Sequence, residues 1–203
     1  MPPFTVLHVC MGNICRSPMA ERLLVLAVQE RLRRLDVDPA ATDELVHSHS
    51  AGTGGWHAGE EMNPPAARQV TSRGGEVAGF AARKLRSDLI DAADLVLTAT
   101  ADQQEYVVAL RPDAAARTFV LGEFGRLLGG VERSGLPPVE VTPAGVYARG
   151  VALVAAVDAA RQGAAALPTD DLDDPWGRGD QCFTRVADEI EETVHPLATA
   201  LLS

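Results

Sequence analysis

The sequence predicts a single doubly wound α/β domain: a four-stranded parallel sheet with helices on both faces. Three observations carry that expectation. Short apolar runs alternate with longer stretches of helical periodicity, the pattern of strands joined through helices. The connections are long enough for right-handed crossovers between parallel neighbours. The length, 203 residues, fits one large domain or one domain carrying an insertion.

The elements follow in order. Residues 4–9 (FTVLHV) read as a buried first strand, followed by a turn-like stretch at 10–16. A long helix is expected over 18–35, where Leu23, Leu24, Ala27, Val28 and Leu32 recur at helical spacing. Ser17 suits its N-cap, and Pro18 suits the first helical position, where a missing N–H costs nothing. A second strand is expected near 45–50, then a glycine-rich loop at 52–59 and a helix at 64–73 ending at Gly74-Gly75. Residues 95–99 give the third strand, 102–110 a helix stopped by Pro112, and 118–121 the fourth strand. Beyond it, 129–143 reads as an exposed loop, 144–166 as an alanine-rich helix, and 170–174 as an acidic loop. Pro175-Trp176 and a final helix over 181–201 complete the chain. The domain is expected to run over 1–203, with an insertion at about 129–167.

Composition narrows the function. A formal charge of −10 disfavours a broad nucleic-acid footprint, which needs clustered positive charge. No apolar run approaches membrane-span length, and Met1-Pro2-Pro3-Phe4 does not open like a signal peptide, so a cytoplasmic protein with no membrane partner is expected. Cys10, Cys15 and Cys182 are too few and too scattered for a disulfide scaffold or a four-ligand zinc site. No cofactor and no metal are expected.

Cys10 stands where the first strand stops and a helix is about to begin. Ligand sites of open α/β sheets form at the carboxyl ends of strands, and a helix N-terminus is an anion site. Gly12 and Asn13 tolerate positive φ, so a loop of Met11, Gly12, Asn13, Ile14 and Cys15 can curl with its N–H groups inward. Arg16 adds a planar cationic fork suited to a phosphoryl group. The helix dipole, the N–H groups and Arg16 all favour thiolate at Cys10, and Ser17 can offer its hydroxyl to the same sulfur. A lone cysteine ending a strand is usually an inert core residue. The joint pattern Cys-x5-Arg-Ser-Pro in a strand–helix setting is much more specific.

The segment VCMGNICRSPMAE, residues 9–21, resembles the signature of the low-molecular-weight protein tyrosine phosphatases. The resemblance continues in order through Ser50-Ala51-Gly52-Thr53, Trp56, Ala93-Asp94-Leu95-Val96 and Asp174-Pro175-Trp176, leaving out about 129–167. It implies a phosphatase of phosphotyrosine-containing protein substrates, with phosphate, vanadate or arsenate as anion ligands. It implies a phosphocysteine at Cys10, phosphoryl oxygens held by Arg16, a thiolate stabilised by Ser17, and a loop shaped by Asn13. Asp174 is implied as general acid, then general base. Repulsion among Asp170, Asp171, Asp173 and Asp174 would help keep one of them protonated. Asp170 and Asp171 read as solvated, and Asp173 stays open. Trp56 and Trp176 fall where the family places aromatic cleft walls, with core packing as the alternative, and Met11 and Ile14 could complete an apolar rim.

One departure stands out: Phe80 occupies a position where the family often has a histidine supporting the loop asparagine, so Asn13 must find another partner. Cys15 is either a redox partner for Cys10 or a small packing residue, and Cys182 is expected to be structural. His57 spoils the dinucleotide-like run 52–57, and His47 and His49 lack a third ligand. The rival readings are an arsenate reductase, a small-metabolite phosphatase, and a non-catalytic phosphotyrosine-binding or redox-sensing module. The first needs relay cysteines, and none lies between Cys15 and Cys182.

Overall fold

Four strands, β1 (Phe4–Cys10), β2 (Val46–Gly52), β3 (Leu95–Thr98) and β4 (Thr118–Val120), form one parallel sheet in the order β2-β1-β3-β4. The computed structural model describes residues 1–203. Eight helices accompany the sheet. Those on the first half of the chain are α1 (Arg16–Arg34), α2 (Thr42–Leu45), α3 (Pro64–Ser72) and α4 (Ser87–Asp91). The second half supplies α5 (Ala101–Leu110), α6 (Leu121–Leu128), α7 (Pro143–Arg161) and α8 (Asp180–Leu202).

β1 is central and buried on both faces, so alternation sends its residues into two cores. Phe4, Val6 and Cys10 belong to a cluster of 43 buried residues shared with α1, α3, α6, α7 and α8. Leu7 and Val9 belong to a cluster of only nine, with Ile90 of α4 and Val107 of α5. The large core therefore holds the fold together; each fully buried Leu, Ile or Phe contributes about 1.5–3 kcal/mol. Cys182 lies in the same core, as expected. No helix is long and apolar enough to cross a membrane.

The doubly wound parallel sheet follows the sequence expectation; the short helices α2 and α4 were not expected, and three further details differ. α1 begins at Arg16 with Cys15 at its N-cap, so Ser17 and Pro18 sit inside the first turn; the Ser17 hydroxyl bonds to Cys10 and Asn13 instead of capping. α6 starts where β4 ends and was not expected, because Gly122 and Gly125 weaken its helical signal. Both glycines are packing requirements. A Cβ on Gly122 would lie 2.5 Å from the Asp170 carbonyl, and one on Gly125 2.3 Å from Thr193 Oγ1 of α8. α7 stops at Arg161, short of the expected 166, because Gln162 and Gly163 turn left-handed at φ 51° and 72°.

Candidate active site

The carboxyl end of β1 pairs Cys10 with Gly52 of β2, and the chain then curls through residues 11–15 into α1. The curl has identifiable causes. Asn13 takes φ 55°, a conformation asparagine tolerates. The loop's carbonyls face outward, where Thr53, Gly54 and Asn63 N–H groups bond those of Cys10, Met11 and Ile14 at 2.9 Å. A side chain on Gly52 would lie 2.7 Å from the Met11 carbonyl, so only glycine lets this second wall approach. Asn13 N–H consequently points at Cys10 Sγ (3.3 Å), and Ser17 Oγ lies 3.0 Å from the same sulfur. Donors and a helix N-terminus converge on one atom, an arrangement that stabilises negative charge there.

Asn13 is fully held without a histidine. Its Oδ1 accepts from Arg83 N–H (2.9 Å), and its Nδ2 donates to Ser17 Oγ (2.9 Å) and Ser50 Oγ (2.8 Å). Phe80 is instead a core residue, with the Arg22 guanidinium over its ring at 6.0 Å. The partner that Asn13 needs is a backbone group three residues further on.

Arg16 is buried and joins the loop to the acidic segment. Its Nη1 donates to the Leu172 carbonyl (3.0 Å), and its Nη2 lies 3.3 Å from Asp174 Oδ2. Asp174 remains half exposed and faces the cleft. The other three aspartates have separate tasks. Asp170 is buried and holds Arg126 of α6 through both oxygens; burial opposes its charge, but Arg126 and the Leu167 N–H outweigh that and keep its carboxyl below the usual range. Asp171 accepts from Ala101 N–H at the start of α5 (2.8 Å). Asp173 pairs with Arg185 (2.7 Å) and Arg178 (3.4 Å), and the Arg185 hydrogen bond leads the effects that lower its pKa. The solvated reading therefore fails for Asp170, which is buried, and holds for Asp171, which is exposed and uses one oxygen to bond the α5 N-terminus. The expected repulsion is also offset, because every member of the run has a donor or cation of its own.

The cleft above Cys10 has a volume of about 190 Å³. Trp56 and Trp176 line it and stand 71% and 64% exposed, so neither packs in the core. Met11 projects at the rim while Ile14 is buried beneath it. Cys15 also borders the cleft; burial, then Cys10 and Asp174, push its thiol up to about 12 against the opposing pull of Arg16. Sequence reasoning missed His57, which lines the cleft with its Nδ1 2.8 Å from Glu60 Oε2. Its place beside Trp56 in the glycine-rich loop was the available signal.

A doubly wound α/β fold with an anion cradle at the carboxyl end of its central strand defines the class. Within it, a family model described as "Low molecular weight phosphotyrosine protein phosphatase" matches residues 5–133, and the chain belongs to that family. A relative from Streptomyces coelicolor, "Low molecular weight protein-tyrosine-phosphatase", is 36% identical over 109 residues, 54% of this chain and 60% of that protein. The chain thus spans less than two thirds of that relative's length. "Low molecular weight protein-tyrosine-phosphatase YfkJ" of Bacillus subtilis is 34% identical over 139 residues, 66% of this chain and 78% of the relative. Among solved structures, the tyrosine phosphatase Wzb from Escherichia coli K30, in complex with sulphate, matches with TM-score 0.61 and 21% identity over 97% of this chain and 96% of its own. The YwlE arginine phosphatase from Geobacillus stearothermophilus matches with TM-score 0.62 and 24% identity, over 97% and 92%. These two likenesses carry the fold alone.

Proposed function

We propose that this chain hydrolyses aryl phosphate monoesters, phosphotyrosine in proteins foremost, through a phosphocysteine on Cys10. The observation that carries the reading is the sulfur at the floor of a cradle, with Asn13 N–H and Ser17 Oγ aimed at it and Arg16 alongside. Bound phosphate, vanadate or arsenate would take the place of the phosphoryl group, held by the N–H groups of residues 11–17 and by Arg16.

In the first step the Cys10 sulfur attacks phosphorus and the P–O bond to the aryl group breaks. The leaving oxygen takes the proton of Asp174. In the second step the Asp174 carboxylate takes a proton from water, whose oxygen attacks phosphorus. The S–P bond breaks, and phosphate and the cysteine thiolate are restored. Asp174 is favoured over Asp173 because it faces the cleft, whereas Asp173 is bound to two arginines outside it. The Arg16 contact to Asp174 would then give way to a substrate's phosphoryl oxygens.

Trp56, Trp176 and Met11 form tall apolar walls around the cradle, which favours a flat aromatic ester over a short alkyl one. The whole chain is taken as one domain with 129–167 inserted between α6 and the acidic segment, since α7 shares the large core. Three free cysteines suit a reducing cytoplasm. Turnover of aryl, seryl and sugar phosphates by wild type and Cys10→Ser tests the reading. Aryl phosphatase activity that vanishes in the variant is expected, and activity that persists would refute it.

A further inference from the structure

We propose that Glu21 is a positioning residue for the nucleophile, acting through Ser50, Asn13 and Ser17 to aim the Ser17 hydroxyl proton at Cys10. This rests on the phosphatase reading of the Cys10 site.

The argument is a count of donors and acceptors. Arg83 N–H can only donate, so the Asn13 atom it meets at 2.9 Å is the carbonyl oxygen. The other terminal atom is then the NH2 group, and its two hydrogens go to Ser17 Oγ (2.9 Å) and Ser50 Oγ (2.8 Å). Both serines are acceptors toward Asn13, which leaves each with one proton to give. Ser50 gives its proton to Glu21 Oε2 at 2.6 Å. Ser17 has Cys10 Sγ at 3.0 Å as its remaining partner. The proton directions along Glu21, Ser50, Asn13, Ser17 and Cys10 are thus fixed at two points, by the Arg83 N–H at Asn13 and by the carboxylate at Ser50. A carboxylate is the acceptor-only group such a chain needs at its terminus.

The placement of Glu21 fits this task. It lies on α1, one turn beyond Ser17, and its side chain is only 12% exposed. Burial raises its pKa, opposed in order by Ser50, Arg22, Arg83 and His47. Those groups face it from its own helix, from the segment before α4 and from β2. A buried carboxylate held this way is costly to keep, and its hydrogen bond to Ser50 is the compensation that the site requires. Glu21 also borders a polar cleft, shared with Asp43 and Glu76, that is separate from the substrate cleft.

Charge alone makes the opposite prediction, which gives the test its power. Removing a negative charge near the sulfur would favour its thiolate, in both Glu21→Gln and Glu21→Leu. The proton-direction account separates them. Glutamine retains an oxygen that accepts from Ser50, whereas leucine leaves Ser50 with nowhere to put its proton. A Ser50 hydroxyl that turns to find another acceptor weakens its hold on Asn13 Nδ2, which leaves Asn13 on Arg83 N–H and Ser17 alone and lets Ser17 turn from the sulfur. The experiment follows iodoacetamide alkylation of the Cys10 peptide by mass spectrometry, across pH, in the full chain. At neutral pH, Glu21→Leu is expected to react about tenfold slower than wild type, and Glu21→Gln within about twofold. Alkylation of Glu21→Leu as fast as wild type, or faster, overturns the proposal. If Glu21→Leu does not fold, Ser50→Ala cuts the same chain at its second link. Slowed alkylation supports the proposal there too, and an unchanged rate overturns it. Alkylation reads the sulfur directly, so absence of aryl phosphatase turnover in wild type would refute the phosphatase reading while leaving this test intact.

Discussion

The two ends of β1 are built on opposite principles. At its carboxyl end Cys10 opens into a cleft and is backed by Asn13, Arg16, Ser17 and Ser50, polar groups that are buried but bonded, with half-buried Glu21 behind Ser50. At its amino end Phe4 is sealed under α7, where a Cβ on Gly150 would stand 2.4 Å from the Phe4 ring. Arg149, one residue earlier, sends its Nε to the Ala200 carbonyl of α8 at 2.6 Å, tying that helix to α7. One end spends its burial on orienting charge, the other on close packing. Substitutions at the first should therefore change rates, and those at the second stability.

The largest effect is expected at Cys10, the proposed nucleophile. Cys10→Ser should lower aryl phosphate turnover by more than about 10⁴-fold while retaining vanadate binding, measured by calorimetry. Turnover surviving in that variant would erase the contrast between the two ends. Asp174→Ala should slow kcat by about 10²–10³-fold, most of all for esters with poor leaving groups, while Asp173→Ala stays within about threefold. A larger loss from Asp173→Ala would transfer the acid role to that residue.

The opposite end should answer in the other coin. Gly150→Leu should lower unfolding stability by about 2–3 kcal/mol through overpacking against Phe4, with turnover per folded molecule unchanged. Denaturant melts and active-site titration on one sample separate the two quantities. A rate loss without a stability loss would show that α7 communicates with the cleft.

Acid should weaken the packed strand through His8. Its ring is fully buried, and burial, then His49, pushes its pKa down to about 3. Ser48 gives its proton to the Glu21 carbonyl, so it accepts from His8 Nε2–H, and the neutral ring is the form the fold selects. The unfolded ring protonates below about 6.5, so this contribution is full above that pH and is lost progressively as pH falls toward the folded value. His49, lowered to about 4 by burial and then Arg83, adds a loss of the same sign. Glu21, with a raised folded pKa, opposes both: its contribution is full at low pH and fades as pH rises. Melting midpoints of His8→Val should consequently fall less steeply between pH 6.5 and 4.5 than those of wild type. Parallel curves would remove His8 from the explanation.

The smallest effect is expected at Cys15. Its thiol, held up near 12, stays protonated at neutral pH and so attacks an oxidised Cys10 slowly. We expect Cys15→Ser to make recovery from mild peroxide by dithiol harder, with little change in turnover. Equal recovery of both proteins would leave Cys15 a packing residue.

Much of the site was legible because its signals are local. Gly12, Asn13, Arg16 and Ser17 lie within eight residues of Cys10, and the alternation of β1 with α1 fixes where they point. What was not legible depends on contacts distant in sequence. The Arg83 backbone reaches Asn13 across 70 residues, and Arg126 reaches Asp170 across 44. An acidic run in isolation reads as solvated; only the tertiary structure assigns each carboxylate its own partner. α6 was hidden for a related reason, since glycines that weaken a helix locally are required where α8 and the acidic segment come closest. His57 offers only its adjacency to Trp56 as a signal, and it is the fold of the glycine-rich loop that brings it to the cleft.

The central claim is the covalent one, and trapping tests it most directly. Asp174→Ala, mixed with an aryl phosphate bearing a good leaving group and quenched in acid, should yield a phosphoryl group on the peptide containing Cys10. That first step needs little acid catalysis, whereas hydrolysis of the intermediate lacks its base. A quenched protein that turns the substrate over with no phosphoryl group on Cys10, or with the group on another residue, would contradict the account.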